Sequence, residues 1–567
     1  MSPTASGHSD PAQRVADAAE EYWRLERDHD PQLQAAAGLP IERLPRLGYE
    51  DALRRASHGC HIVDDLADIA PQQLNGTDAD TLRALRFVSA SDTGVAEHYW
   101  QTPIATPYQT QFRLAQHRRT AFEAHRFTES ADVDRYLDLV AQYAGCFDTV
   151  HTTVLGQAER GVAIPKPAVA AAVATYRGLR DTASQTLGVD GSRSAALSPV
   201  DARRLHDGVS KLIEQDVLKS VDGLLSVLDA PEYLSSAPDR VGMAAHPGGE
   251  EAYRFMVHQQ TGSDATPEAW YRIGVEQCDM LTARMREVRS GLGFDMDESA
   301  FNTVLKSQSQ LYASSPNEVE SRYRSFMSRL EAVIDEQFSI LQSAPYDVAR
   351  AEPELETGMT FGYYELPSAN QPHGRYRYNG SDLGDRSLFT AAALIYHELM
   401  PGHHLQAMRQ AENTSLPDFR RHTRAFGAFD EGWAEYASGL GWEMGLYGDP
   451  WDAYGRLSHA RFTAARLVVD TALNCGWWDL DQSLQFMREN MSLSEVQLQS
   501  EAIRYSTDLP AQALSYRAGY LTIVRMRADA ERRMGERFRV RDFHEGILGA
   551  GTLPFNALDE RLKRELN

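Results

Sequence analysis

The sequence predicts a mainly α-helical protein, on the basis of three observations. Apolar residues recur at three- and four-residue spacing across much of the chain, for example in residues 51–67, 132–155 and 198–228. Thr266-Pro267-Glu268 combines a capping threonine with a proline in the first helical turn. Only residues 359–378 are rich in the aromatic and alternating residues typical of strands. We therefore expect a helical fold with one small β-hairpin or sheet.

The composition is that of a globular protein and argues against two classes of partner. The chain has 567 residues, of which 42% are hydrophobic and 24% charged, and its net charge is −23. An acidic chain is repelled by nucleic acid and by anionic membranes, so neither is expected as a partner. No stretch approaches the roughly 20 apolar residues of a membrane helix. The acidity itself is best explained by solubility.

Cysteine usage and the N-terminal residues bear on the compartment. Cys60, Cys146, Cys278 and Cys475 are far apart in the sequence and form no CxxC pair, which argues against disulfides and cysteine-based zinc sites. Residues 1–10 show no basic start followed by an apolar run, so no signal peptide is expected. These features predict a cytoplasmic protein.

The chain divides into two regions that we expect to form one continuous fold. Residues 1–240 are predicted to be helical and carry no chemical motif. A loop follows at residues 241–251, VGMAAHPGGEE, and residues 241–567 form the predicted metal-binding region.

The second region is predicted element by element. Helices are expected over 266–290 and 318–343, then a hairpin from 359–366 and 375–378. Ser387 is the predicted cap of the next helix, which carries His397. From residue 416 onward the pattern is helical again, with breaks near 448–450, 508–510 and 549–554.

The segment from Ile395 to Gln406, IYHELMPGHHLQ, contains a cluster of metal-ligand residue types. His397 and Glu398 form the first half of the zincin signature, in which two histidines at i and i+4 bind zinc and the glutamate is a general base. Here the i+4 residue is Pro401, and the next histidines are His403 and His404. On a straight helix an i+7 residue lies about 10.5 Å along the axis, too far to share an ion with the first.

Pro401 and Gly402 offer a way to bring a later histidine back to His397. The proline interrupts helical hydrogen bonding, and the glycine permits a sharp turn with positive φ. If two residues are looped out of the helix, His403 reaches the metal. If three are looped out, His404 reaches it instead. We favour His403 as the ligand and expect His404 to line the pocket. A proline-kinked helix with hydrogen-bonded histidines and no metal is the structural alternative.

The third ligand is predicted one helix further on, in the sequence DEGWAEY. Glu431 and Glu435 stand at i and i+4, so their carboxylates share a helix face. Glu431 fits the role of metal ligand, and Glu435 fits the role of a carboxylate that orients a metal-bound histidine.

Glu398 is the predicted general base, and the groups that stabilise the substrate are sought downstream. Developing negative charge on the substrate oxygen requires a donor, for which we select Tyr516 and Arg504 as catalytic residues. Tyr505 and Gln512, in the same segments, are predicted to contact substrate.

Several motifs, taken together and in order, resemble a known bacterial family. They are YHELMPGHHLQ, FDEGWAEYASGL, RLVVDTAL, EAIRYSTDLPAQALSYRAG and FHEGILGAGTLPFNAL. The segments GGEEAYRFMVHQQTG and YYELPSANQPHGRYRYN match earlier parts of the same pattern. The chain resembles domain of unknown function family 885, regarded as zincin-like metallopeptidases.

The resemblance implies a helical zincin-like metallopeptidase fold that encloses a channel, with the hairpin beside the active-site helix. It implies His397, His403 or His404, and Glu431 as metal ligands and Glu398 as base. Tyr364 and Tyr378 would belong to a sheet edge along which an extended substrate lies. His544 also matches a family position. Asn474 replaces a histidine that relatives carry, which bears on the substrate and not on the metal.

The predicted function is that of a zinc-dependent hydrolase, a metallopeptidase or amidohydrolase, that cleaves an amide in a small peptide or acylated amino acid. One Zn²⁺ ion is the expected cofactor, with another divalent transition metal as the alternative. The alternative function is a metal-dependent lyase or tailoring hydrolase of small-molecule biosynthesis. A third hypothesis, a non-catalytic binding protein, is disfavoured by the intact ligand set. The sequence does not determine the oligomeric state.

Overall fold

The structure is a computed structural model that describes residues 10–36, 38–356, 362–367 and 371–566. Most of these residues lie in helices. The mainly α-helical prediction is therefore confirmed. The α-helices are α1 (Pro11–His29), α2 (Pro31–Ala36), α3 (Tyr49–Asp65), α4 (Gly76–Glu97), α5 (Pro107–Thr110), α6 (Ser130–Glu159), α7 (Lys166–Asp181), α8 (Ala183–Leu187), α9 (Pro199–Leu212), α10 (Leu218–Leu228), α11 (Pro231–Ser236), α12 (Gly249–Thr261), α13 (Pro267–Gly291), α14 (Glu298–Ser307), α15 (Pro316–Glu331), α16 (Pro353–Glu356), α17 (Ala391–Glu398), α18 (His403–Glu412), α19 (Asp418–His422), α20 (Gly427–Leu440), α21 (Pro450–Asn474), α22 (Leu480–Asn490), α23 (Glu495–Ile503), α24 (Leu514–Met534), α25 (Val540–Leu548) and α26 (Phe555–Glu565).

Short 3₁₀ and π-helical segments join or extend several of these helices. The 3₁₀ turns are Pro71–Gln73, Tyr99–Gln101, Met243–Ala245, Ser309–Leu311, Ile334–Glu336 and Gly535–Arg537, and the π-helical segments are Gln111–Ala115, Arg118–Glu123, Ile213–Val217 and Arg504–Asp508. The last of these places Arg504 immediately before the loop that leads into α24.

The sheet has three strands, one more than the sequence predicted. They are β1 (Tyr346–Arg350), β2 (Gly362–Glu365) and β3 (Gly374–Tyr378), in the order β1-β3-β2. Strands β2 and β3 are antiparallel, as the hairpin prediction requires, whereas β1 runs parallel to β3. Residues 357–361 and 368–370, also in the predicted hairpin, lie outside the described residues.

Helix boundaries were predicted well where a capping residue marks them. Thr266 caps α13 through a bond from Ala269 N, and Pro267 is the first helical residue. The helix predicted over 318–343 instead ends at Glu331, because the chain leaves it for a 3₁₀ turn and β1. Ser387 was wrongly predicted as a cap, since α17 begins at Ala391 after Thr390.

The hydrophobic core joins the two ends of the chain. One cluster combines residues of α1, α3 and α4, such as Trp23 and Leu85, with residues of α18, α20 and α26, such as Leu405, Trp433 and Leu558. A separate cluster is built from the N-terminal region, chiefly α6 to α11. In the described part of the chain, no helix is both long and apolar enough to cross a membrane.

Helix α21 runs through the interior and is buried on all sides from Ala453 to Asn474. Helices α20 and α24 approach each other at Gly432 and Gly519, where a Cβ on Gly432 would lie 2.5 Å from backbone atoms of Gly519. This close contact brings the start of α24 next to the acidic face of α20.

Candidate metal centre

The turn between α17 and α18 folds His403 back toward His397. Helix α17 ends at Glu398, residues 399–402 form the turn, and α18 begins at His403. Gly402 has a φ of −79°, so its positive-φ freedom, which the sequence suggested, is not what the turn uses. A Cβ at Gly402 would lie 1.8 Å from the carbonyl oxygen of His397. The turn therefore requires glycine because the two backbone segments are in contact.

Helix α20 holds this turn in place. The indole Nε1 of Trp433, which is fully buried, donates a hydrogen bond of 3.0 Å to the carbonyl oxygen of Pro401. Glu431 and Glu435 lie on the same helix, so one element positions both the turn and its acidic partners.

His397, His403 and Glu431 converge on one point. Nε2 of His397 lies 3.5 Å from Oε2 of Glu431, and Nε2 of His403 lies 3.3 Å from the same oxygen. One ligand atom from each residue lies within 4.8 Å of the others. Two ligands of a tetrahedral zinc ion, each about 2.1 Å from the metal, are about 3.4 Å apart. The spacing of these side chains therefore fits a zinc site.

A further observation supports a metal at this position. Oε2 of Glu431 is buried and has no hydrogen-bond partner with acceptable geometry among the described residues. Buried carboxylate oxygens are normally hydrogen-bonded or bound to a cation. The set of two imidazoles and one carboxylate is that of a catalytic zinc site, which keeps its fourth position for water.

Glu435 organises the far side of His397. Its Oε1 lies 3.1 Å from Nδ1 of His397 and 3.0 Å from Nδ1 of His459. Its Oε2 lies 3.3 Å from Nη1 of Arg456. With Nδ1 facing a carboxylate, His397 presents Nε2 to the cluster, which is the orienting arrangement predicted for Glu435.

The charges at the centre are strongly coupled. Burial lowers the pKa of His397, but its contacts with Glu431 and Glu435 outweigh burial and raise that pKa to about 10. Burial raises the pKa of Glu431, yet its close contacts with His397 and His403 outweigh burial and hold that pKa well below its usual range. The site thus favours positive charge, whether a proton or a metal ion, and protons would compete with a metal.

Glu398 lies beside this cluster in a buried setting. Burial raises the pKa of its carboxyl group, and the nearby His397 and His403 oppose that effect only in part. A carboxylate with a raised pKa is suited to accept a proton and release it again.

Tyr516 stacks on His397, one of the three candidate metal ligands. Its ring is nearly parallel to that of His397, with centroids 6.1 Å apart. Burial and the negative Glu431 raise the pKa of Tyr516 to about 12, so its hydroxyl keeps its proton near neutral pH. The guanidinium carbon of Arg466 lies 4.6 Å from the centre of the Tyr516 ring.

Arg504 and Gln512 belong to the same group of side chains. Nη2 of Arg504 donates to Oε1 of Gln512 at 2.6 Å, and Gln512 interacts with the Tyr516 side chain. Arg504 also lies 3.4 Å from Glu501. The structure therefore brings Arg504, Gln512 and Tyr516 together, next to the metal ligands.

His404 has both ring nitrogens in use and cannot be a ligand. Its Nε2 donates to the carbonyl oxygen of Ala344 at 3.0 Å, and its Nδ1 accepts the hydroxyl of Tyr364 at 2.7 Å. Gly374 leaves room for this pair, since a Cβ there would lie 2.3 Å from Nδ1 of His404. His404 and Tyr364 thus tie β2 to α18, and their contact with substrate stays a prediction.

Three other residues that were predicted to contact substrate also form hydrogen bonds within the protein. Tyr378 lies on β3, the central strand rather than an edge, and its hydroxyl donates to the carbonyl oxygen of Pro316. Tyr505 is fully buried and donates to Glu501. Both ring nitrogens of His544 are engaged, with the hydroxyl of Tyr436 at 2.9 Å and the carbonyl oxygen of Gln337 at 2.8 Å.

Asn474 is likewise fully occupied. Its Oδ1 accepts from Met243 N at 3.1 Å, and its Nδ2 donates to Asp470 Oδ1 at 3.1 Å and to the carbonyl oxygen of Tyr505 at 3.0 Å. A side chain held in this way joins three segments and plays no part in the metal cluster.

Sequence reasoning missed the residues that support the centre from α21. His459, Arg456 and Arg466 all lie on that helix, and each is buried. The sequence does contain a signal for these residues, because the helix carries a histidine and several arginines around its whole circumference. In a buried helix such charged groups must be paired inside the protein.

Two solved structures share this fold over nearly the whole chain. A crystal structure described as that of "the putative lipoprotein from Colwellia psychrerythraea" is 21% identical, with a TM-score of 0.88, covering 98% of this chain and 99% of that one. "A putative lipoprotein of unknown function from Shewanella oneidensis" is 15% identical, with a TM-score of 0.69, covering 98% of this chain and 100% of that one.

A third structure is much less similar. Metallocarboxypeptidase 1 of Trypanosoma cruzi aligns at 10% identity with a TM-score of 0.38, covering 99% of this chain and 96% of that one, and this likeness carries no conclusion. No curated protein sequence is significantly similar to the chain.

The sequence also matches a family profile over residues 31–562, which is nearly its full length. The profile is described as a bacterial protein of unknown function, DUF885. The chain therefore belongs to the DUF885 family of bacterial proteins of unknown function.

Proposed function

We propose that the protein is a zinc-dependent hydrolase that cleaves an amide bond in a small peptide or an acylated amino acid. The observation that carries the proposal is the convergence of His397, His403 and Glu431 at tetrahedral spacing, with Glu398 beside them. A bound zinc ion would lower the pKa of a coordinated water to about 7 and polarise a substrate carbonyl.

The chain's own residues divide the remaining work. Glu398 accepts the proton from the attacking water and delivers it to the leaving nitrogen. Tyr516, whose hydroxyl stays protonated, donates a hydrogen bond to the developing negative charge on the carbonyl oxygen. Glu435 keeps Nε2 of His397 directed at the metal.

The surroundings favour a small substrate with an anionic group. The side chains of His397, His403 and Glu431 are at most 19% exposed, so a folded protein has no access to them. Among the residues that the structure describes, Arg504 and Arg466 both pair with Glu501, so two positive charges near Tyr516 share one direct carboxylate partner. A short peptide or an acylated amino acid supplies a carboxylate for that charge.

The test compares Glu398→Gln with the wild type on a library of dipeptides and N-acyl amino acids. We expect the variant to retain stoichiometric zinc and to lose about 100- to 10,000-fold in kcat, as removal of a general base does. Glu250→Gln, a change at an exposed glutamate on α12, is the matched control and should leave both quantities unchanged.

Two results would reject this proposal. One is wild-type protein that holds zinc yet cleaves no amide in the library, which would direct attention to lyase or non-peptide hydrolase chemistry. The other is unchanged turnover in Glu398→Gln. The cytoplasmic location remains a prediction.

A further inference from the structure

A cavity of about 370 Å³ lies among α13, α20, α21 and α24, away from the metal ligands. His397, His403 and Glu431 are not among its lining residues. Its volume is within the range of small-molecule sites. Part of its wall is apolar, formed by Leu281, Leu457 and Val524. We call it the arginine cavity, because Arg456 and Arg517 also line it.

Arg517 is the feature of this cavity that needs an explanation. The residue is 2% exposed. Its Nε donates to Oε1 of Gln277 at 3.1 Å, its Nη2 reaches the same oxygen, and its guanidinium carbon lies 4.5 Å from the centre of the Tyr520 ring. Among the residues that the structure describes, Gln277 is the direct hydrogen-bond partner of Arg517, and no carboxylate lies within ion-pair distance of it. Burial lowers the pKa of Arg517 and outweighs the opposing effects of Tyr520 and of the more distant carboxylate of Glu435.

Buried charges in proteins are normally paired, because removing an ion from water without a counterion is costly. Two other arginines of the cavity obey that rule, whereas Arg284, the fourth, is exposed to solvent. Arg456 lies 3.3 Å from Oε2 of Glu435, and Arg527 is paired with Glu443 and Glu531. The acids around the cavity thus already have cationic partners, and Arg517 lines the cavity without a carboxylate in direct contact among the described residues.

We propose that the arginine cavity binds a small organic acid, with its carboxylate against Arg517 and its apolar body against Leu281, Leu457 and Val524. A guanidinium group binds a carboxylate through paired, charge-assisted hydrogen bonds, which fixes the ligand's orientation. Val524 is 37% exposed and lies at the mouth, so the ligand enters past it. This site uses none of the metal ligands and is independent of the proposed hydrolysis.

The cavity is nevertheless connected to the metal centre. Arg456 touches Glu435, and Glu435 touches Nδ1 of His397. An acid bound next to Arg456 would therefore be linked to His397 through two contacts, Arg456 with Glu435 and Glu435 with His397.

The test measures binding of benzoate and of benzamide, its neutral counterpart of the same shape, by calorimetry on the full-length protein. We expect benzoate to bind at least about 10-fold more tightly, since hydrogen bonds between charged groups are worth more than neutral ones. Inorganic phosphate, an anion with no apolar body, should bind more weakly than benzoate.

Two variants locate the ligand. Arg517→Met removes the charge at similar length, and we expect it to weaken benzoate binding about 10-fold or more. Val524→Trp obstructs the mouth from an exposed position and should have a comparable effect. Val496→Trp, at a valine that is 78% exposed on α23, is the matched control and should bind like the wild type. If Arg517→Met fails to fold, Val524→Trp decides.

A carboxylate also binds zinc, so His397→Ala distinguishes the two sites. The proposal requires benzoate binding to persist in that variant. Binding that is lost in His397→Ala but retained in Arg517→Met and Val524→Trp would place the acid on the metal and overturn the proposal. Equal affinity for benzoate and benzamide would overturn it as well.

Discussion

At the scale of single residues, two adjacent histidines have opposite roles. Nε2 of His403 faces Glu431, whereas both ring nitrogens of His404 form hydrogen bonds, one with Tyr364 and one with Ala344. The sequence left both open as ligands, because the number of residues excluded from a helix at a proline turn depends on what the turn packs against. Here that contact is the bond from Trp433 to Pro401.

His403→Ala should abolish stoichiometric zinc binding, and His404→Gln should not. Loss of a ligand should weaken zinc by more than the about 10- to 100-fold that loss of a supporting contact costs. Metal content after dialysis, measured by mass spectrometry, distinguishes the variants. Zinc retained in His403→Ala and lost in His404→Gln would reverse the assignment.

Asp470 gives a prediction about pH. Its Oδ1 accepts bonds from Tyr253 and Ala511, while its Oδ2 is buried and has no partner among the described residues. Burial raises the pKa of Asp470 from 3.8 to about 7. The folded protein thus holds this proton more tightly than the unfolded chain does, so the contribution to stability is complete below about pH 4 and is lost as the pH rises through about 7.

Asp470→Asn cannot titrate and should gain stability relative to the wild type as the pH rises from 4 to 7. The slope of that difference is at most about 1.4 kcal/mol per pH unit. Urea unfolding of both proteins at several pH values measures it. A difference that stays constant over this range would show that Asp470 keeps its ordinary pKa.

At the scale of elements, contacts between backbones decide where the ligands lie. The turn at Gly402 touches the carbonyl oxygen of His397, and α20 touches α24 through Gly432 and Gly519. Glycines in these positions are visible in the sequence, but the partner of each contact is not. The same holds for β1, a five-residue strand whose parallel pairing with β3 is a long-range contact.

Gly402→Ala should disrupt the metal centre, because the new Cβ would meet the His397 carbonyl at 1.8 Å. We expect loss of zinc affinity together with a lower melting temperature. Gly178→Ala is the matched control, since it lies on an exposed face of α7 with nothing within 4 Å of the new Cβ. That variant should be slightly stabilised, by up to about 1 kcal/mol. Normal zinc binding by Gly402→Ala would contradict the packing described here.

At the scale of the whole molecule, the two predicted regions share a core. Trp23 and Leu85 from the first region pack in the same cluster as Leu405 and Trp433 from the second. Removing the first region exposes that apolar surface next to the helices that carry the metal ligands.

A fragment of residues 241–567 should therefore fail to fold into a soluble, zinc-binding protein. The full chain should bind zinc under the same conditions and serves as the control. Expression followed by circular dichroism and metal analysis tests this. A fragment that folds and binds zinc stoichiometrically would show that residues 241–567 are an independent domain.

The sequence by itself determined the helical class, the turn residues Pro401 and Gly402, the candidate ligands His397 and Glu431, the candidate base Glu398 and the orienting carboxylate Glu435. These features follow from local periodicity and from the residue types found at short spacing. Both can be recognised from residues that are neighbours in the sequence. The sequence could not distinguish residues that line a site from residues of the same types that form hydrogen bonds within the protein.

Only the tertiary structure shows which partner each of these polar side chains has. Tyr378, Tyr505 and His544 bond to protein groups far away in the sequence, as do His459 and Arg456 to Glu435. The physical reason is that a buried polar group must find a partner, and which partner it finds depends on how distant segments pack.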